Sequence, residues 1–410
     1  MTTEPRLRTA PADVPDDVPE DAAADRAPVL PEPDWDRLPE VAEELAARAA
    51  GHDADGSFPY EGVAAVHRAG LLTASVGRAF GGPGGGLADA VRILAALGGG
   101  DPAVALVTAM TLFTHAAQAR EATWPRAPYR ELLAASARGP ALVNALRVEP
   151  DLGSPVRGGL PATTARRRAD GDWELTGHKI FSTGAVALAW MAVWARTDED
   201  PVRVGSFLVR GGSPGVEIRP TWDHLGLRAS RSDDVLLDAV RVPAGQVAGL
   251  APHAPGAGGG RDAVTGAWNA LGLTALYLGV ARAAQRWLTG FLHERVPSAL
   301  GAPLATLPRL QSAVGGIEVR LAGAERLVAA LAAAVDAGDT AAAAEAGGAK
   351  VLGTRAAIRA VEEAVALVGN NGLTRANPLQ RHLRDVLCAR VHTPQDDSVL
   401  AAAGRAALGL

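Results

Sequence analysis

The chain is poor in the residues that announce several common protein classes. It has one cysteine, Cys388, among 410 residues, which excludes an internal disulfide framework and any cysteine-based metal cluster. Its nine histidines show no ligand spacing, so no metal centre is expected. Basic residues (40) do not outnumber acidic ones (45), and the net charge is −5, so the electrostatic footprint of a nucleic-acid binder is missing. No apolar run reaches the roughly 18 residues of a membrane span, and no membrane association is expected. The first 34 residues, rich in Pro, Asp and Ala, lack the apolar core of a signal peptide and read as a disordered arm. A cytoplasmic location is the expectation. No G-x-G-x-x-G follows a strand-like run, which argues against a Rossmann nicotinamide site, and no G-x-S-x-G nucleophile elbow is present.

What is present is an ample supply of core material, 48% hydrophobic residues, arranged in three segments of different period. Residues 35–141 read as a helical domain. LPEVAEELAARAA puts Leu38, Val41, Leu45 and Ala49 on one stripe, YEGVAAVHRAGLL stops near Gly70, and LADAVRILAALGGGDPAVALVTAMTLFTHAAQA reads as two helices broken at GGGDP. From Leu142 the period falls to two. Short β-branched runs such as DWELTGHKIFS, MAVWART, GSFLVR and DDVLLDAVRV, separated by Gly, Pro and Asp turns, predict a middle β domain over 142–245. A Gly/Pro/Ala linker is expected at 246–261. Residues 262–410 return to long alanine-rich helical stripes, which predict a bundle buried in part by neighbouring subunits.

Five strings in this order resemble the acyl-CoA dehydrogenase superfamily of flavoproteins over about residues 36–409. They are GLLTASVGRAFGGPGGGLADAV in the first domain, VEPDLGSP (148–155), GHKIFSTGA (177–185), LGLRASRSDDVLLDAVRVP (225–243) and RHLRD (381–385). The resemblance implies an α+β fold with an N-terminal helical domain, a middle β-barrel domain and a C-terminal four-helix bundle. It implies FAD as cofactor. Phe181 would wall the flavin ring, Ser182 and Thr183 would lie at its N5 region, and Gly153 and Ser154 would sit near the pyrophosphate. Two departures stand in the flavin loop, where Val148 and Pro155 replace the family's threonine and aspartate. ERVPSALGAPLATLPRLQ (294–311) and VGNNGLTR (368–375) resemble the segments that hold the adenosine end of a neighbour's FAD. Arg295, Gln311, Gly369 and Gly372 are the residues this implies, in a homodimer or homotetramer.

The resemblance makes α,β-dehydrogenation of an acyl-CoA or acyl-carrier thioester the expected reaction, with an electron-transfer flavoprotein as electron acceptor. The family's proton-abstracting glutamate is missing, however. One of its two usual positions, eight residues beyond Asp385, is Thr393; the other is Asn269. Neither side chain can take the proton. Asp396, Asp397 and Asp262 are candidate substitutes. ARVHTPQDD also resembles a segment of flavin-dependent monooxygenases on the same fold, which need no α-proton base. That comparison implies roles for His392, Thr393 and His115, an aromatic substrate, and FMN or reduced flavin supplied by a flavin reductase. A non-catalytic flavin-binding relative is the remaining alternative.

Overall fold

The computed structural model describes residues 28–152, 159–253 and 262–410. The expectation of an arm over 1–34 fails for residues 28–34, and residues 1–27 lie outside the described ones. Leu30 is buried and Asp34 N donates to Ala69 O at 2.9 Å, so residues 28–34 are part of the body.

The first domain is built from α1 (Leu38–Asp55), α2 (Tyr60–Arg68), α3 (Leu87–Gly100), α4 (Pro102–Arg120) and α5 (Arg126–Ser136). The stripe Leu38, Val41, Leu45 and Ala49 is the buried face of α1. Asp101 divides α3 from α4. Its side chain accepts the Ala103 N–H at 2.8 Å, and Pro102, which has no N–H to lose, starts the next helix.

Among the described residues the middle domain is one eight-stranded sheet: β1 (Leu142–Leu146), β2 (Thr164–Arg167), β3 (Trp173–Lys179), β4 (Leu188–Thr197), β5 (Arg203–Arg210), β6 (Val216–Arg219), β7 (Asp234–Val242) and β8 (Val247–Pro252). The spatial order is β6-β7-β3-β2-β4-β5-β8, with β1 added in parallel to β4. Strand β8 corrects the expected 246–261 linker. Its burial follows no clean alternation, and Val247 and Ala248 owe their place to pairing with Phe207 and Ser206 of β5. Tertiary pairing outweighed a turn-like composition.

The last domain has three long helices, α6 (Ala263–Glu294), α7 (Pro308–Asp336) and α8 (Thr340–Val368), then two short ones, α9 (Leu379–Leu387) and α10 (Asp396–Leu408). Helix α9 packs on α6 and α8 as the short fourth member. Helix α6 is long and apolar enough to cross a membrane by length and composition, but 72% of its most apolar window is buried in the protein.

Helices α3 and α6 meet backbone to backbone. A Cβ on Gly98 would lie 2.2 Å from Leu276 O, and one on Gly279 would lie 2.1 Å from Ala95 O. Both partners are main-chain atoms that cannot swing aside. Gly279→Ala should therefore destabilise the protein by roughly 1–3 kcal/mol through overpacking, although alanine is the better helix former by about 1 kcal/mol. Urea unfolding midpoints of the two forms check this, and an unchanged or raised midpoint contradicts the contact.

Candidate active site

The segment from Val148 to Thr183 is organised around a buried ion pair. Glu149 and Lys179 are 2% and 0% exposed, with Lys179 Nζ 2.5 Å from Glu149 Oε1. The carboxylate also accepts from Ala162 N, Thr163 N and Thr163 Oγ1, while the ammonium donates to Trp194 O at 2.6 Å. Burial pushes the Lys179 ammonium down to about 8, and its bond to Glu149 opposes that. Lysine and threonine donors hold Glu149 below the usual carboxylate range against the desolvation that raises it. Ile180 N then donates to Val148 O at 3.0 Å, so the start of the 148–155 loop lies along the end of β3. Gly153 and Ser154 fall outside the described residues.

Next to this anchor comes Phe181. It sits at φ 55, a left-handed conformation that is uncommon for a bulky residue, and its side chain is 53% exposed. The bonds Ile180 N to Val148 O and Ser182 N to Asp233 O hold the backbone on either side. An exposed aromatic ring kept in a strained conformation points to a binding role. Trp222 meets Phe181 edge-on at 6.3 Å, and His224 stacks on Trp222 at 3.6 Å. Ser182 Oγ is buried without a partner. Thr183 Oγ1 accepts from Ser232 Oγ at 3.0 Å, which leaves its own proton to donate. An aromatic wall beside the Thr183 hydroxyl fits the ring and polar edge of a flavin, with Ser182 Oγ buried just behind.

Helix α4 links this loop to the second cluster. A Cβ on Gly184 would be 3.5 Å from Val107, and Phe113, about 9 Å further along the axis at 1.5 Å per residue, meets Trp268 edge-on at 6.3 Å. Trp268 precedes Asn269, whose Nδ2 donates to Thr393 O at 2.5 Å and lies 3.3 Å from Thr393 Oγ1. The two positions at which the resemblance would put a base are thus in direct contact, and both carry neutral side chains. His392 Nε2 is 2.7 Å from Tyr277 Oη. Burial pushes the His392 ring down to about 4, with Lys350 adding to the effect, so the pair is neutral at neutral pH.

No candidate carboxylate reaches this point unpaired. Asp396 binds Lys350 at 3.2 Å and Arg355 at 3.1 Å. Asp262 caps α6 through Thr265 N and pairs with Arg120 at 2.9 Å. Asp397 is exposed and accepts from Ser398 N. His115 lies in the core of α4, fully buried, with Nδ1 3.1 Å from Tyr129 Oη. Burial alone pushes it down to about 4, and no contact brings it to His392. A pocket of about 920 Å³ opens beside Asn269 and Thr393, lined by small and apolar residues of α6, α7, α8 and α10, with Asp262 and the exposed Glu345 as its carboxylates.

Arg295, Gln311, Gly369 and Gly372 lie elsewhere. Arg295 O accepts from Leu304 N, Gln311 Nε2 donates to Ala305 O, and Gly369–Gly372 form the turn that ends α8. Along α6, Arg295 is about 39 Å from Asn269. Among the described residues no contact joins this group to Phe181. The sequence reading passed over Lys179 as a partner of Glu149, Tyr277 and the Trp222–His224 stack. The spacing of VEP and GHK offered a signal for the first, whereas Tyr277 meets His392 across distant elements and nothing in the local TWDH run marked the Trp222–His224 stack.

The acyl-CoA dehydrogenase N-terminal, middle and C-terminal domain families match residues 40–122, 147–240 and 271–396. "Putative acyl-CoA dehydrogenase YdbM" of Bacillus subtilis (strain 168) is 31% identical over 369 residues, 89% of this chain and 94% of that one. L-evernosamine nitrososynthase of Micromonospora sp. is 31% identical over 391 residues, covering 89% and 87%. The structure of KijD3 in complex with FMN and dTDP-3-amino-2,3,6-trideoxy-4-keto-3-methyl-D-glucose superposes with a TM-score of 0.77 at 27% identity, over 91% and 92% of the two chains. The chain belongs to the acyl-CoA dehydrogenase superfamily.

Lys179→Met leaves Glu149 buried without its counter-charge and should cost about 3–5 kcal/mol. Lys179→Met combined with Glu149→Gln should recover part of that loss in the same urea unfolding assay. A single variant as stable as wild type would remove the pair from its anchoring role.

The buried histidines also set a pH response. Burial is the main cause that holds His115 and His392 at about 4 and His382 at about 3, against 6.5 for a free ring. As pH falls from 6.5 towards 4 the unfolded chain binds protons that the folded one refuses, so stability falls. Asp385, raised by burial to about 7, and Asp101, also raised, act in the opposite direction, since their contribution is lost as pH rises. Three histidines against two carboxyl groups leave a net loss on acidification. His115→Asn should flatten the dependence of unfolding free energy on pH between 4 and 6.5, and an unaltered slope would show that His115 takes up its proton in the folded protein.

Proposed function

We propose that this protein is a flavin-dependent monooxygenase on the acyl-CoA dehydrogenase fold, rather than an α,β-dehydrogenase of acyl thioesters. One observation carries the reading: Asn269 and Thr393 touch each other at the point where the resemblance to dehydrogenases would put a base, and the candidate carboxylates nearby serve as ion-pair or cap partners. Removal of an α-proton without a positioned base forfeits roughly 10²–10⁴ in rate. Hydroxylation by oxygen needs no such base. Similarity to a nitrososynthase and to the FMN-bound KijD3 structure supports this reading.

Bound reduced flavin supplies two electrons to oxygen, so that one oxygen atom enters the substrate and the other leaves as water. The protein's own groups position and shield this chemistry. Phe181 would offer the ring a wall and Thr183 would donate its hydroxyl proton at the polar edge, with Ser182 Oγ buried behind them. His392 and Tyr277 hold a hydrogen bond that is uncharged at neutral pH and so adds no competing acid. The pocket beside Asn269 and Thr393 takes the apolar part of the substrate. In this reading a flavin reductase is the redox partner. If the flavin is FAD, Arg295 and Gln311 of a second copy would hold its adenosine end.

The test supplies reduced flavin and ¹⁸O₂ to the protein with a panel of amino-sugar nucleotides and aromatic compounds, and separately mixes the oxidised holoprotein with acyl-CoAs in the absence of oxygen. One labelled oxygen atom in a product, with no bleaching of the flavin by any acyl-CoA, is the expected result. Anaerobic bleaching with formation of an enoyl-CoA would overturn it.

A further inference from the structure

A second pocket, of about 520 Å³, opens between α1, the 224–228 loop and the start of α9. It is lined by Arg228, Arg375, Arg381 and Arg384, while Asp53 is its one lining carboxylate. Asp53 is already engaged. Arg384 holds both its oxygens, at 2.8 and 2.5 Å, and Arg228 Nε donates to Asp53 O at 2.8 Å. The other contacts of Arg228 are long, 3.4 Å to Asp223 Oδ1 and to His224 O.

Arg381 and Arg375 are left over. Arg381 is 6% exposed, and its Nε and Nη1 are buried without a hydrogen-bond partner. Arg375 is exposed and has no side-chain partner among the described residues. Asp101 and Asp385 flank Arg381 across a cavity of about 10 Å³. Both are drawn towards their neutral forms by burial, and Asp385 Oδ1 is committed to Leu227 N at 2.7 Å. Arg381 attracts both carboxyl groups, yet its Nε and Nη1 still lack an acceptor, and an anion in the larger pocket would complete the arrangement. A planar fork beside further cations suits phosphate oxygens in particular.

The pocket adjoins the candidate flavin loop. His224 lines it and stacks on Trp222, whose edge meets Phe181. We propose that this arginine pocket binds the phosphate or diphosphate of an organic ligand whose other end extends towards the Phe181–Trp222–His224 cluster. Two sources share that chemistry, a nucleotide-linked substrate and a phosphorylated coenzyme. The inference does not depend on whether the reaction is oxygenation, since it is read from binding without turnover.

The experiment titrates the full chain by calorimetry with thymidine diphosphate, coenzyme A, FMN and inorganic phosphate, then repeats the titrations on Arg381→Met and Arg375→Ala. At least one organic phosphate should bind saturably and lose about tenfold or more in affinity in Arg381→Met, as expected for a lost charge-assisted pair. Arg375→Ala, on the surface and without effect on the core, should weaken the same ligand several-fold. That second variant keeps the test decisive if Arg381→Met fails to fold. Competition between FMN and the bound ligand assigns the pocket to the coenzyme; simultaneous binding assigns it to the substrate. The proposal is overturned if no organic phosphate binds saturably, if inorganic phosphate binds as tightly as any of them, or if Arg375→Ala and any folded Arg381→Met bind like wild type.

Discussion

The close approach of α3 to α6 is the constraint from which the rest of the architecture follows. With Gly98 and Gly279 removing the side chains at the crossing, α6 becomes a column shared by two domains. One side faces α3 and α4 and the other faces α8 and α9. Because one rigid helix carries Asn269, Tyr277 and Arg295, its placement sets the separation between the Asn269–Thr393 point and the Arg295 end of the bundle. It also brings Trp268 to Phe113 on α4, and through α4 to the Phe181 loop.

On this frame the site is assembled from neutral groups, while charge is kept at its margins. Asn269, Thr393, His392, Tyr277, Ser182 and Thr183 carry no net charge at neutral pH, the ring of His392 because burial disfavours its cation. Of the carboxylates that sequence position alone would offer as bases, Asp396 is held by Lys350 and Arg355 and Asp262 by Arg120, while Asp397 is exposed and accepts from Ser398 N. A group bound to two cations loses that attraction when it takes a proton, which opposes general-base action. The same economy explains Glu149, whose four donors, three of them on Oε1, make it an anchor.

The arginine pocket is the exception to this pattern. There cations outnumber the carboxylate that lines the cavity, and one guanidinium is buried without a hydrogen-bond partner. Unbalanced buried charge is stable only where something else supplies the opposite sign. The imbalance lies within one aromatic stack of the strained Phe181, so the two unusual features of the surface adjoin.

Periodicity alone determined the three-domain order, the buried stripe of α1, the break at Asp101 and the run of short strands, because each rests on spacing within a few residues. The absence of a glutamate at 269 and 393 was equally plain. Composition misplaced residues 28–34 and the 246–261 segment, since Leu30 and β8 are fixed by what packs against them and not by local propensity. Only the tertiary structure decided that Asn269 and Thr393, 124 positions apart, touch, that Asp396 is neutralised by lysine and arginine of α8, and that His115 belongs to the core. It alone also gathered Arg228, Arg375, Arg381 and Arg384 around one cavity. Contacts between distant segments depend on how whole elements dock, and no spacing within one element encodes that docking.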